Sequence, residues 1–168
     1  MSNFSSNFHI LKSIGHIHTP YKKKAPYQSV DVAKGSFKLI LDEKYEKGLK
    51  ELEKFTYIYI IYYLDKVQRS NQLTLSPPWA NNSEIGVFAS RSPDRPNPIG
   101  ISVVKLIKIE KNHIYISGID AFDGTSIIDI KPYIKDLDSK KDANYGWLDG
   151  EENQDHINLH IKGIPHKH

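Results

Sequence analysis

The sequence predicts a mainly β, single-domain protein, an antiparallel barrel or sandwich with one packed helix. Short stretches rich in Ile, Val and Tyr recur along the 168 residues. Strand–helix alternation of the kind that builds a parallel sheet is scarce. Turn pairs, Lys111-Asn112 and Asp123-Gly124, fall between apolar runs.

Taken in order, HILKSIGHIH (9–18) reads as a strand bent at Gly15, followed by a proline-punctuated loop, TPYKKKAPYQ (19–28). SFKLIL (36–41) alternates as a strand. The next segment predicts the helix, with Asp42 as N-cap and Tyr45, Leu49, Leu52 and Phe55 at spacings that share a face. Gly48 inside it suggests close packing. Thr56–Leu64, dominated by Ile and Tyr, reads as a central strand. Residues 66–83 read as a long polar loop and EIGVFAS (84–90) as a short strand. ISVVKLIKIE (101–110), HIYISGID (113–120) and TSIIDIKPYI (125–134) complete a set of about seven strands. The barrel domain is assigned to 8–135. The polar, partly irregular segment 136–168 is taken as part of it.

Composition narrows the function classes. An apolar fraction of 39% with 26% charged residues is globular rather than disordered. The longest apolar run, YIYIIYYL (57–64), is far short of the ~20 residues of a membrane helix. The first residues lack the charge and apolar run of a secretion signal, so a cytoplasmic location is expected. Without cysteine there is no disulfide, thiolate nucleophile or cysteine zinc site. The net charge of +3 permits a polyanionic partner without demanding one. No GxGxxG or GxxxxGK[ST] signals a dinucleotide or P-loop site.

Two constellations stand out. GVFASRSPDRPNPIG (86–100) mounts Arg91 and Arg95 among Pro93, Pro96 and Pro98. Proline fixes its own φ and restricts the preceding residue, so the loop has little entropy to lose on binding. Arginine's planar fork suits carboxylates and phosphates. The plainer reading is a rigid turn whose arginines pair with Asp94 or Asp123. In GIDAFDGTSIIDIKPYI (118–134), Asp120 and Asp123 bracket Phe122 at a strand end, where they would hold a ribose hydroxyl or an ammonium group, or only cap the turn. The histidines at 16 and 18, 156 and 160, and 166 and 168 lack a third ligand at metal-site spacing, and no metal is expected. The tyrosines of 57–63 are read as core, with base stacking as the functional alternative.

GVFASRSPDRPNPIGISVV closely resembles the signature of the TsaA-like (TrmO-type) family of S-adenosylmethionine-dependent tRNA methyltransferases. IGHIHTPYKKKAP, GLKELEKFTYIYIIYYL and GIDAFDGTSIIDIKPYI resemble the family's other segments in the same order, over roughly residues 13–134. YGWLDG (145–150) resembles the end of its shorter members. The resemblance implies a β-barrel unlike the Rossmann methyltransferases, working as a homodimer. It implies methylation of N6-threonylcarbamoyladenosine at position 37, beside the anticodon of threonine tRNA, with S-adenosylmethionine as cofactor. Carried over, the cofactor contacts are Pro26, Tyr27 and Gln28, then Asp65 and Lys66, Arg91, Val103, and Asp120, Ala121, Phe122 and Asp123. Arg91 would hold the cofactor carboxylate, and Asp120 or Asp123 its ribose or ammonium. Arg95 and Asn97 would orient the modified base, and Lys22, Lys23 and Lys24 would meet tRNA phosphates. Two features depart from the pattern: Asp65-Lys66 stands where many members carry His-Gln, and the larger C-terminal extension of some bacterial members is missing. The alternatives are a tRNA- or nucleotide-binding barrel that binds the cofactor without methyl transfer, or a small-molecule-binding barrel.

Overall fold

The computed structural model describes residues 9–26, 36–67, 70, 72–77, 83–150 and 158–159. Its strands are β1 (Gly15–His18), β2 (Lys38–Leu41), β3 (Tyr57–Tyr63), β4 (Thr74–Leu75), β5 (Ile85–Gly86), β6 (Ile99–Glu110), β7 (His113–Ile116) and β8 (Ser126–Pro132). Six of them close an antiparallel barrel in the order β1-β2-β7-β6-β3-β8, with β8 returning to β1; β4 and β5 pair separately.

The period-2 pattern decides which way each strand faces. In β3, Ile58, Ile60 and Tyr62 point inward; in β6, Gly100, Ser102, Val104 and Leu106 do. Ile17, Leu39, Ile114 and Ile127 join them in the core. β3 is central, as its composition suggests, and pairs along its length with β6 on one side and β8 on the other. Both turn pairs make the expected turns: Lys111 has φ +56° between β6 and β7, and Gly124 has φ +79° just before β8.

Five local expectations change. The segment expected as one α-helix is wound as two 3-10 pieces, Glu43–Leu49 and Leu52–Lys54, broken at Glu51 with φ +71°. Its apolar residues still do what the spacing predicts, since Leu49 is buried in the core and Tyr45, Leu52 and Phe55 pack against it. Asp42 makes no side-chain cap and instead pairs with Lys44 at 3.3 Å. Gly48 meets nothing within 4 Å of a built Cβ, so it loosens the helix rather than admitting a neighbour. The close approach is at Gly15, where a Cβ would lie 2.2 Å from the Ile40 carbonyl oxygen, and the strand expected over 9–18 begins only there. In the segment expected as a strand over 84–90, only Ile85–Gly86 pairs, and Val87–Ala89 is a 3-10 turn.

The feature that positions the site is an interrupted seam. β6 pairs with β3 over Ile99–Lys105 and with β7 only over Leu106–Glu110. Beyond Ser117, whose N–H donates to the Lys105 carbonyl at 2.9 Å, the other edge of β6 has no strand neighbour among the described residues. The barrel opens there.

Candidate functional site

A cleft of about 550 Å³ opens at this seam. Its inner wall is Tyr62, Gly100 and Ser102, and the outward side chains Ile99, Ile101 and Val103 line one flank. Arg91, Ser92, Pro93 and Arg95 enter from the proline-braced loop, and Asp120, Ala121 and Phe122 from the bend after β7. Asp65 and Lys66 follow β3, and Ala25 and Pro26 end the lysine-rich loop.

Two residues expected in the site lie elsewhere. Asp123 does not line the cleft, because its carboxylate is used in holding the bend: Oδ1 accepts from the Thr19 N–H at 3.1 Å and pairs with His18 Nδ1 at 3.0 Å. Burial alone would raise the Asp123 pKa, but the Thr19 N–H, His18 and Lys22 together bring it below the ordinary carboxylate value. Asn97 lines a second groove of about 470 Å³ with Tyr63 and Pro96, which shares Ile99 with the first among the described residues. Lys22, Lys23 and Lys24 are exposed and outside the cleft lining, on the loop that runs into Ala25. Tyr27 and Gln28 lie outside the described residues.

The bend 118–124 is held by contacts far away in sequence. The Thr19 hydroxyl donates to the Ala121 carbonyl at 3.0 Å, the Asp123 N–H to the Tyr21 carbonyl at 2.8 Å, and the Gly124 N–H to the Ile17 carbonyl at 2.8 Å. Lys66 Nζ donates to the Asp123 carbonyl, so this lysine ties the segment after β3 to the bend.

On the opposite wall, Asp94 accepts from the Ser70 N–H at 3.1 Å and from the Ser70 hydroxyl, while Arg95 Nη1 donates to the Ser90 and Ser92 carbonyls at 3.3 and 3.4 Å. Neither arginine therefore pairs with Asp94 or Asp123, and the plain-turn reading loses its partners. Arg91 makes no hydrogen bond or ion pair with the described residues. The braced loop thus presents to the cleft a guanidinium with no hydrogen-bond or ion-pair partner among the described residues.

Sequence reasoning missed Tyr62 and Ser102. Ser102 Oγ donates to Asp120 Oδ1 at 3.0 Å, and the Tyr62 hydroxyl lies 3.0 Å from Ser102 Oγ and 3.2 Å from Asp120 Oδ1. Burial pushes the Tyr62 phenol well above its ordinary pKa; the Asp120 charge adds to this, while the Ser102 bond and the Arg91 charge oppose it. It therefore stays protonated and able to donate. A signal was present in the alternation, since Ser102 is a polar residue on the inward face of an apolar strand, and such a group needs a partner.

A family model described as the tRNA-methyltransferase O N-terminal domain matches residues 16–139. The chain belongs to this family. Members of the tRNA-methyltransferase O family include solved structures, and the barrel is similar to the crystal structure of TrmO from Pseudomonas aeruginosa. That likeness has a TM-score of 0.69 at 30% identity and covers 83% of this chain and 62% of that one. A probable S-adenosyl-L-methionine-binding protein of Archaeoglobus fulgidus is 40% identical over 141 residues, which is 83% of this chain and 38% of the relative. The tRNA (adenine(37)-N6)-methyltransferase of Mus musculus is 43% identical over 100 residues, 59% of this chain and 23% of the relative. The chain thus spans well under half the length of those two proteins.

Proposed function

We propose that this protein is an S-adenosylmethionine-dependent tRNA methyltransferase that methylates N6 of N6-threonylcarbamoyladenosine, beside the anticodon of threonine tRNA. The observation that carries the reading is the convergence of Arg91 and Asp120 on one cleft, where both charges act on the Tyr62 phenol. Opposite charges lining one cleft suit a zwitterionic amino-acid end. The flank of Ile99, Ile101 and Val103 suits an adenosyl group, and the cleft volume falls within the ~300–1,000 Å³ of small-molecule sites. The names carried by the Archaeoglobus and mouse relatives support the same cofactor and reaction.

S-adenosylmethionine supplies an activated methyl group on a positively charged sulfur. The chain's own part is to bind and orient. Arg91 takes the cofactor carboxylate, and Asp120 accepts from its ammonium. Pro26, Lys66 and Phe122 border the remaining space. Bound there, the cofactor would supply its methyl group to the acceptor nitrogen by in-line displacement, the N–H proton passing to solvent, and the chain's residues would contribute alignment. The acceptor is already a carbamoyl nitrogen, more acidic than a plain adenine amine, so positioning rather than a strong base carries the rate. Arg95, at the cleft mouth, offers a cation to the threonyl carboxylate, and Lys22–Lys24 extend positive charge along the approach of the RNA backbone.

Working as a homodimer is supported by the outward face of β6. Ile101 and Ile107 are 53% and 59% exposed there, an unusual concentration of apolar surface that continues into the cleft.

The test is incubation with tritiated S-adenosylmethionine and tRNA from cells lacking this methylation. Label at the modified adenosine beside the anticodon supports the reading. Tight S-adenosylhomocysteine binding without transfer overturns it in favour of a binding protein.

A further inference from the structure

Asp120, Ser102 and Tyr62 form a triangle in which two hydroxyl protons serve three contacts. Ser102 donates to the carboxylate, and Tyr62 donates either to Ser102 or to Asp120. In both arrangements Asp120 is the final acceptor, because it is the member that has no hydroxyl. The triangle is built into the barrel. Tyr62 and Ser102 are inward residues of the paired strands β3 and β6, and the Tyr62 ring lies over its cross-strand partner Gly100. A Cβ at Gly100 would sit 2.2 Å from Tyr62 Cε2, so the ring reaches Asp120 only because this position is glycine.

Asp120 itself stands on an irregular bend, where a side chain ordinarily keeps rotamer freedom that binding must remove. Two hydroxyls on one oxygen remove it beforehand. A carboxylate has about four acceptor positions on its two oxygens, more than these two hydroxyls occupy. Among the described residues, Arg91, on the braced loop, acts on the same Tyr62 phenol, and the neutral Tyr21 phenol is raised chiefly by burial and further by the Asp120 charge.

We propose that Ser102 and Tyr62 are positioning residues that fix the Asp120 carboxylate for an ammonium group held opposite Arg91. This rests on the cofactor reading above and deepens it by assigning the two charges of one amino-acid end to opposite walls of the cleft. Gly100 is the clearance that makes the arrangement possible.

Two ligands separate this role from a merely structural one. S-adenosylhomocysteine carries the amino-acid end; 5′-methylthioadenosine keeps the adenine and ribose and lacks it. We expect Ser102→Ala and Tyr62→Phe each to weaken S-adenosylhomocysteine about tenfold, the scale of a hydrogen bond to a charged group, with 5′-methylthioadenosine affinity unchanged. Ser102→Thr, which keeps the hydroxyl, restores binding. Thermal denaturation checks that the variants are folded. Equal weakening of both ligands, or of neither, overturns this inference and leaves the cofactor reading standing. Wild-type protein that binds neither ligand overturns both.

Discussion

The indole Nε1 of Trp147 donates to the carbonyl of Ala89 at 2.8 Å, joining segments 58 residues apart. Ala89 ends the 3-10 turn that leads into the Arg91 loop, so the YGWLDG segment braces a wall of the cleft from outside. Trp147→Phe removes the donor and keeps an aromatic ring. We expect faster backbone amide exchange over residues 87–90, with a global stability change within ~0.5 kcal/mol, because the contact is exposed. Unchanged exchange there would remove this bracing role.

Arg91 and Arg95 are predicted to behave differently although they are four positions apart. Arg91 has no hydrogen-bonded partner among the described residues. Arg91→Ala is therefore expected to leave the melting temperature unchanged and to weaken S-adenosylhomocysteine by about 100-fold, the cost of stranding a bound charge. Arg95→Ala loses its bonds to Ser90 and Ser92 and is expected to lower stability by about 1 kcal/mol. Calorimetry and thermal denaturation of the pair read both effects.

Gly100→Ala places a methyl group 2.2 Å from Tyr62 Cε2, so the ring has to shift. Overpacking of this kind costs about 1–3 kcal/mol. We expect a lower denaturation midpoint together with loss of S-adenosylhomocysteine binding, since the displaced ring belongs to the triangle at Asp120. A variant of wild-type stability would show that the ring has another place to go.

Asp123 makes stability depend on pH in a definite direction. Its folded-state pKa lies below the ordinary carboxylate value of about 3.9, so its contribution is present above that value and lost as pH falls through the depressed one. The stability gap between wild type and Asp123→Asn, followed by urea denaturation, is expected to be constant from pH 7 to about 5 and to shrink below about pH 4. A gap that widens on acidification contradicts the assignment.

Ile107 lies on the outward face of β6 beyond the cleft lining. In the proposed homodimer this face is covered. Ile107→Glu is expected to shift the protein from dimer to monomer in sedimentation at micromolar concentration, without lowering the stability of the monomer. A wild-type monomer would rule out this interface.

Much of the barrel was legible because its strands obey a two-residue alternation imposed by backbone geometry alone. In β6 apolar residues fall on both faces, so its alternation alone does not say which side is inward; the inward set there is decided by packing. Tyr45, Leu49, Leu52 and Phe55 were found by spacing, although the backbone between them is 3-10 rather than α. Spacings of three and four are shared closely enough by both windings for one apolar face to be read while the hydrogen-bond pattern is not. The missed residues, Tyr62 and Ser102, sit on the inward face where polarity looks like an exception until its partner is known.

The sequence by itself determined most of the strands, both tight turns, the stiffness of the arginine loop and the family resemblance, because each is written in residues close together along the chain. Only the tertiary structure decided between Asp120 and Asp123. The two carboxylates flank one short bend and look alike in the sequence. Which one is used up depends on Thr19, 104 positions from Asp123, and which one faces the cleft depends on Tyr62 and Ser102. A carboxylate's role is set by the donors that reach it, and here those donors come from strands and loops that meet only when the barrel closes.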